Sequence, residues 1–213
     1  MTNATTRDHT VLVVENLALV RAGLVSTVSQ LAGFTVIAEA GSGEEAVTLA
    51  RSLEPDLVLM DLRMPGIGGL EAAHRISMTV QSARIVAVTA SENEPKHRLS
   101  RSGFSACVGK SAEPEVFAAT LKAVLAGKSL LETPSDNQIR EPSAESPFDQ
   151  LTPRQMQVAM LTLQGQKISH IAEIMHIEST SVYTYRRRLH EKLGIKSDIE
   201  LADLARLHGV SPV

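Results

Sequence analysis

Apolar runs and helical periods alternate along the first 130 positions of the chain. Thr10–Val14, Val36–Ala38, Leu57–Met60, Arg84–Val88 and Ser105–Val108 are short, nearly continuous apolar segments bounded by turn residues. That pattern predicts strands buried on both faces of a parallel sheet. Between and after them, Ala18–Leu31, Gly43–Leu53, Gly68–Met78, Glu94–Ser102 and Glu113–Ala126 carry apolar residues at helical spacing. Pro95 falls in the first turn of its helix, where a missing N–H costs little. The alternation predicts an α/β fold: a five-stranded, doubly wound parallel sheet with right-handed crossovers.

After this region the pattern changes. Glu132–Pro147 is polar, rich in Pro and Ser, and without helical period, which reads as a semi-extended tether. The chain therefore divides into residues 9–130, a linker over 131–148 and a second module over 149–213. That module reads as a small all-α domain. Thr152 caps a helix that has Pro153 at its first position, runs to about Leu163 and stops at Gly165. Further helices are expected over Ile168–Met175, over Ser179–Leu193 with a stop at Gly194, and over Ser197–Leu207 with an end at Gly209.

Composition narrows the class. A hydrophobic content of 43% and a net charge of −3 fit a water-soluble protein. No apolar run approaches membrane-spanning length, and the first residues lack a signal-peptide core, so a cytoplasmic protein without a membrane partner is expected. Cys107 is the only cysteine, which excludes an intramolecular disulfide and fits a reducing compartment. With no Trp and few other aromatics, the cores must be aliphatic. No nucleophile–base pair or cofactor loop suggests an autonomous enzyme.

The candidate chemistry lies at the strand ends. Leu57–Met60 runs straight into Asp61 and then a Pro/Gly-rich loop, which aims a carboxylate at the crevice where open α/β sheets bind ligands. A helix-capping aspartate is the plain alternative. Three other strands deliver partners to the same edge: Glu15-Asn16 after the first, Thr89 after the fourth and Lys110 after the fifth. If Asp61 accepts a phosphoryl group, each has work to do. Glu15 and Asn16 offer oxygens to a hard cation such as Mg²⁺, Lys110 balances negative charge, and Thr89 can hydrogen-bond the phosphate.

With Met64-Pro65-Gly66 after the aspartate, residues 9 to 127 resemble the receiver domain of two-component response regulators. The resemblance implies phosphorylation of Asp61 by a sensor histidine kinase or a small phosphodonor. It also implies Mg²⁺ held by Glu15, Asn16, Asp61 and the backbone carbonyl of Arg63. The chain departs from the family pattern at three places. Glu15-Asn16 replaces the usual pair of acids, and the lost charge is expected to weaken Mg²⁺ binding by a few kcal/mol at an effective dielectric of about 20; ordinary drift within a working pocket is the plain alternative. Cys107 stands where an aromatic usually reports the phosphate state, and Ser111 replaces the residue common after the lysine. A lone cysteine on a strand is more often a small core residue than a redox sensor.

In the second module, Val182, Leu189 and Leu193 form one stripe of the helix 179–193, while Tyr183, Thr184 and Arg187 share the opposite face. Residues 179–196 hold five basic groups against one acid, Glu191. A short preceding helix and a tight turn at His176-Ile177-Glu178 point to a helix-turn-helix. His170, His176 and His190 match no common zinc spacing. Leu151–Arg154, Ile171-Ala172 and Glu191–Gly194 give residues 150–209 a resemblance to the LuxR-type DNA-binding domain, with Gln155 in place of the usual Glu. Residues 197–209 with Tyr185-Arg186 resemble the Gac/Uvr branch. The resemblance places Tyr183, Thr184 and Arg187 at base edges, with Tyr183 where lysine is common, and makes Arg186, Arg188, Lys192 and Lys196 phosphate contacts.

Together these features resemble a DNA-binding transcription regulator of the NarL/FixJ type, working as a homodimer on double-stranded DNA. RNA polymerase is a further partner that the resemblance allows. Ile199, Leu201, Ala202, Leu204 and Ala205 offer an apolar face for dimerisation. Glu15-Asn16 and Cys107 keep a second reading open, in which the receiver serves dimerisation or partner binding with weak or no phosphorylation. A third, a phosphotransfer sink or protein antagonist without DNA binding, conflicts with the basic helix.

Overall fold

The computed structural model describes residues 7–90, 96–131, 146–208 and 210. The chain divides into two compact units, Met1–Asp136 and Asn137–Val213.

In the first unit, β1 (His9–Val14), β2 (Phe34–Ala40), β3 (Leu57–Asp61), β4 (Arg84–Thr89) and β5 (Ala106–Gly109) make one sheet in the order β2-β1-β3-β4-β5. Every neighbouring pair is parallel. Successive strand residues point to opposite faces. Leu12, Val14, Val58, Met60, Ile85 and Ala87 pack with Ala46, Ala50, Ala72, Ile76 and Leu99 on one side. Val11, Val13, Leu57, Leu59, Val86 and Val88 pack with Val28, Phe117, Leu121 and Val124 on the other. The first set meets α2 (Gly43–Leu53), α3 (Gly68–Thr79) and α4 (Lys96–Arg101), and the second meets α1 (Ala18–Ser29) and α5 (Pro114–Leu125). Both faces being covered explains the continuous apolar runs of β1, β3 and β4, Val11–Val14, Leu57–Met60 and Ile85–Val88.

The element ends differ slightly from the expectations. β2 is seven residues long rather than three, with alternating burial, because it is an edge strand. α1 ends at Ser29, before Leu31, as the Gln30 and Leu31 N–H groups turn back to the Thr27 and Val28 carbonyls. Of the helix read over Glu94–Ser102, Glu94 and Pro95 lie outside the described residues. So do most of the tether, over 132–145, and Gly209.

Among the described residues of the second unit, a 3-10 turn, Pro147–Gln150, comes before α6 (Pro153–Leu163), α7 (Ile168–Ile174), α8 (Ser179–Leu193) and α9 (Asp198–Leu207). Gln155 donates its N–H to the Thr152 hydroxyl at 3.3 Å, and its side-chain oxygen accepts the Thr152 N–H at 3.0 Å. Gln155 is buried in this reciprocal cap, so glutamine completes it where the family places glutamate. Gly165 and Gly194 take positive φ and end α6 and α8. His176 also takes φ +50° in the turn before α8, a position the sequence pattern marked only as tight.

The core of this unit corrects one expectation. Leu201 and Ala205 are buried against Phe148, Val158 and Leu189, and Leu204 is half-buried on the same cluster. Three of the five apolar residues assigned to a dimerisation face therefore face the domain's own interior. Ile199, at 77%, and Ala202 remain exposed, as does Leu207 at 78%. A four-helix unit this small needs its last helix to close the core, and the helical period alone does not say which neighbour takes the apolar stripe.

Candidate functional site

The strand order reverses between β1 and β3, so the chain leaves their carboxyl ends in opposite directions and opens a crevice. Asp61 ends β3 there and is 4% exposed. Glu15 follows β1 and is fully buried, Asn16 beside it in sequence is half-buried, and Thr89 at the end of β4 is buried. The Lys110 N–H donates to the Thr89 carbonyl at 2.7 Å, which continues the β4–β5 pairing and delivers the lysine to the same edge.

The Lys110 ammonium donates to Glu15 Oε2 at 2.6 Å and lies 3.2 Å from Asp61 Oδ2. The other Glu15 oxygen accepts the Leu17 N–H at 2.9 Å. Burial pushes the Asp61 carboxyl above the usual range, and the Glu15 charge adds to this; Lys110 and the Arg63 N–H oppose both. Burial works against the charge on Lys110, but the Glu15 hydrogen bond and the two carboxylates outweigh it and hold its pKa high. The site thus has two carboxylates sharing one cation. Its donors are oxygens, the type a hard cation prefers.

The loop after Asp61 is held by contacts that the sequence pattern did not reveal. Gly66 has φ +76°, and a Cβ there would lie 2.6 Å from Glu44 Oε1. The same Glu44 oxygen, carried by α2, accepts the Ile67 N–H at 2.9 Å. A Cβ at Gly69 would overlap the Asp61 carbonyl oxygen. Arg21 of α1 donates to the Glu15 carbonyl at 2.7 Å and fixes the opposite loop. Cys107 is half-buried, lies beside Ala87 of β4, and packs against the core on the side of the sheet that α2, α3 and α4 cover.

On the second unit, Val182 and Leu189 of α8 are buried, while Tyr183, Thr184, Arg187, Arg188 and Lys192 are exposed. Lys196, just beyond the helix, is exposed as well. The predicted basic face is present, but its members differ. Arg187 lies 3.7 Å from Glu191, one turn along the helix, with both side chains largely in solvent. Arg186 is half-buried and pairs through two nitrogens with Asp198 of α9. Lys192 donates to the Gln150 carbonyl at 2.9 Å, and the Gln150 amide donates back to the Lys192 carbonyl at 2.6 Å. Two of the four cations assigned to phosphates are thus engaged inside the domain.

Comparison with known proteins agrees with both units. A model of the response regulator receiver domain matches residues 11–122, and one of the bacterial regulatory proteins of the luxR family matches residues 149–205. The chain is 38% identical to the response regulator GacA of Pseudomonas protegens, over 94% of this chain and 96% of that one. It is 34% identical to the response regulator UvrY of Escherichia coli, over 94% of each. RcsB from Salmonella enterica serovar Typhimurium, solved bound to a promoter with a phosphomimetic, shares the fold at 20% identity. It superposes with a TM-score of 0.62 over 93% of this chain and 98% of that one. Among the described residues, no helix is long and apolar enough to cross a membrane. The crevice around Asp61, the basic face of α8 and these similarities together make the chain a member of the two-component response regulators, a DNA-binding transcription regulator in which a receiver domain is joined to a LuxR-type helix-turn-helix domain.

Proposed function

We propose that Asp61 is the phosphoacceptor of a receiver spanning residues 9–130, and that its phosphorylation acts through the linker 131–148 on a DNA-binding domain over 149–213. The observation that carries this reading is the buried Asp61 carboxyl facing the Lys110 ammonium at the switch point of the sheet. A carboxylate oxygen of Asp61 forms the new P–O bond as the P–N bond of a sensor kinase's phosphohistidine breaks, or the P–O bond of a small phosphodonor. Lys110 then pairs with the phosphoryl oxygens, and the Thr89 hydroxyl donates to one of them. Transfer of this kind is mostly positioning and electrostatics.

Two carboxylates against one ammonium leave a negative excess that fits a dication. Asp61, the Asn16 amide oxygen and the Arg63 carbonyl would hold Mg²⁺, with Glu15 contributing chiefly its charge, because its oxygens serve Leu17 and Lys110. When bound, the metal neutralises charge between Asp61 and the incoming phosphoryl group.

On DNA, α8 enters the major groove and presents Tyr183, Thr184 and Arg187 to base edges, with Arg188 and Lys196 at flanking phosphates. A homodimer on paired half-sites accounts for the apolar residues left exposed on α9, Ile199, Ala202 and Leu207. Partners then include a sensor histidine kinase and RNA polymerase, in the cytoplasm, and the chain performs no catalysis of its own.

A second reading rests on Asn16 and Cys107: the receiver controls DNA binding through dimerisation or a protein partner, without phosphorylation. One experiment separates the two. DNA affinity and oligomeric state are measured with and without beryllofluoride plus Mg²⁺, with Asp61→Ala beside the wild type. Tighter DNA binding and a shift toward dimer, both lost in Asp61→Ala, support the first reading. No response at saturating Mg²⁺ supports the second.

A further inference from the structure

We propose that Asp198 is a specificity-determining residue for DNA, because it withholds Arg186 from the phosphate backbone. This rests on the assignment of α8 to the major groove. Arg186 Nε donates to Asp198 Oδ1 at 2.9 Å, and Nη2 donates to Oδ2. A planar guanidinium gripped by both oxygens of a carboxylate is the strongest form of this pair. Asp198 is the first residue of α9, where the free N–H groups of a helix start favour a carboxylate. His190 Nε2 lies 3.3 Å from the same Oδ1, so an imidazole stands beside the pair.

Placement gives this pair its consequence. Arg186 lines the same open cleft as Tyr183, Arg187 and Lys196, on the flank of the face that α8 offers to DNA. Released from Asp198, it would add a cation to that cleft. Each cation on a phosphate strengthens binding to every sequence alike, whereas base contacts alone distinguish sequences. Holding Arg186 back therefore lowers general affinity and leaves a larger share of the binding energy to Tyr183, Thr184 and Arg187. The pair also ties α8 to α9, but a purely structural role predicts loss of affinity when it is broken, whereas withholding predicts a gain.

The test uses the full chain and two duplexes: one selected by the wild type from a random library, and one of scrambled sequence. Binding is followed by fluorescence anisotropy across a series of salt concentrations. In Asp198→Asn, affinity for the scrambled duplex rises, and the slope of log K against log salt steepens by about 0.9, the value for one added phosphate contact. The ratio between selected and scrambled duplexes falls. The double variant Arg186→Met/Asp198→Asn returns the slope to the wild-type value, and Arg186→Met alone leaves it unchanged. If the steeper slope persists in the double variant, the lost carboxylate charge is responsible and the proposal fails. If Arg186→Met alone flattens the slope by about 0.9, Arg186 already touches a phosphate and the proposal fails again. Should Asp198→Asn not fold by circular dichroism, the single Arg186→Met result decides. A wild type that selects no sequence at all would instead remove the groove assignment on which the inference rests.

Discussion

Lys110 donates to Glu15 at 2.6 Å across the carboxyl edge of the sheet, and the same ammonium stands 3.2 Å from Asp61, whose carboxyl is raised first by burial and then by the Glu15 charge. Glu15 contributes a neighbouring negative charge, which holds the Asp61 carboxyl up, and it also takes part of the cation that would hold it down. In Glu15→Gln both influences reverse. The Asp61 titration, followed by carboxyl-carbon NMR, should move to lower pH. A midpoint that stays in place would show that burial alone governs Asp61.

Asp61 should cost the fold stability. A carboxyl raised in the folded state binds protons more tightly there than in the unfolded chain, so its ionised form opposes folding at neutral pH. That cost fades as pH falls through the raised value toward the ordinary carboxylate range. Asp61→Asn keeps the shape and removes the charge, and should raise stability at neutral pH by about 0.5–2 kcal/mol. Urea titrations at neutral and acidic pH test this: the gain should shrink in acid. An equal gain at both pH values would assign it to packing instead.

Gly69→Ala should damage the site from its backbone. The added methyl group would overlap the Asp61 carbonyl oxygen and press on Leu62, neither of which can move without shifting the end of β3. Overpacking of this kind costs about 1–3 kcal/mol, and more where backbone must move. Thermal melts should show the loss, and phosphorylation of the folded fraction should be slowed. Gly23→Ala is the control, since its Cβ would meet nothing within 4 Å.

The sheet and the convergence on Asp61 were legible because apolar runs end in polar residues at four strand ends, and a parallel sheet brings those ends to one edge. α8 was legible for the same kind of reason, since Val182 and Leu189 at a seven-residue spacing fix the inward face. What stayed hidden depends on partners distant in the chain. Glu44 reaches the Asp61 loop from α2, and Gln150 reaches Lys192 across 42 positions. Nothing in a run of three arginines tells which one meets Asp198. The inward turn of Leu201 and Ala205 follows from how α9 closes the core, which a helical period cannot specify.

Arg187 and Lys192 should behave oppositely when shortened. Arg187 is exposed at the centre of the α8 face, with only a loose pairing to Glu191. If it reads a guanine edge, Arg187→Ala costs about 1–3 kcal/mol on the selected duplex and relaxes preference at one base position. Lys192 is tied to Gln150 in both directions, so Lys192→Met breaks one hydrogen bond between α8 and the 3-10 turn. It should lower the unfolding free energy of the helical domain by about 0.5–1.5 kcal/mol. Its salt slope should change by less than the ~0.9 of a full phosphate contact. Selection of preferred sequences by each variant, together with melts and salt titrations, distinguishes the two. A full unit of slope lost in Lys192→Met with stability intact would return that lysine to the phosphate backbone.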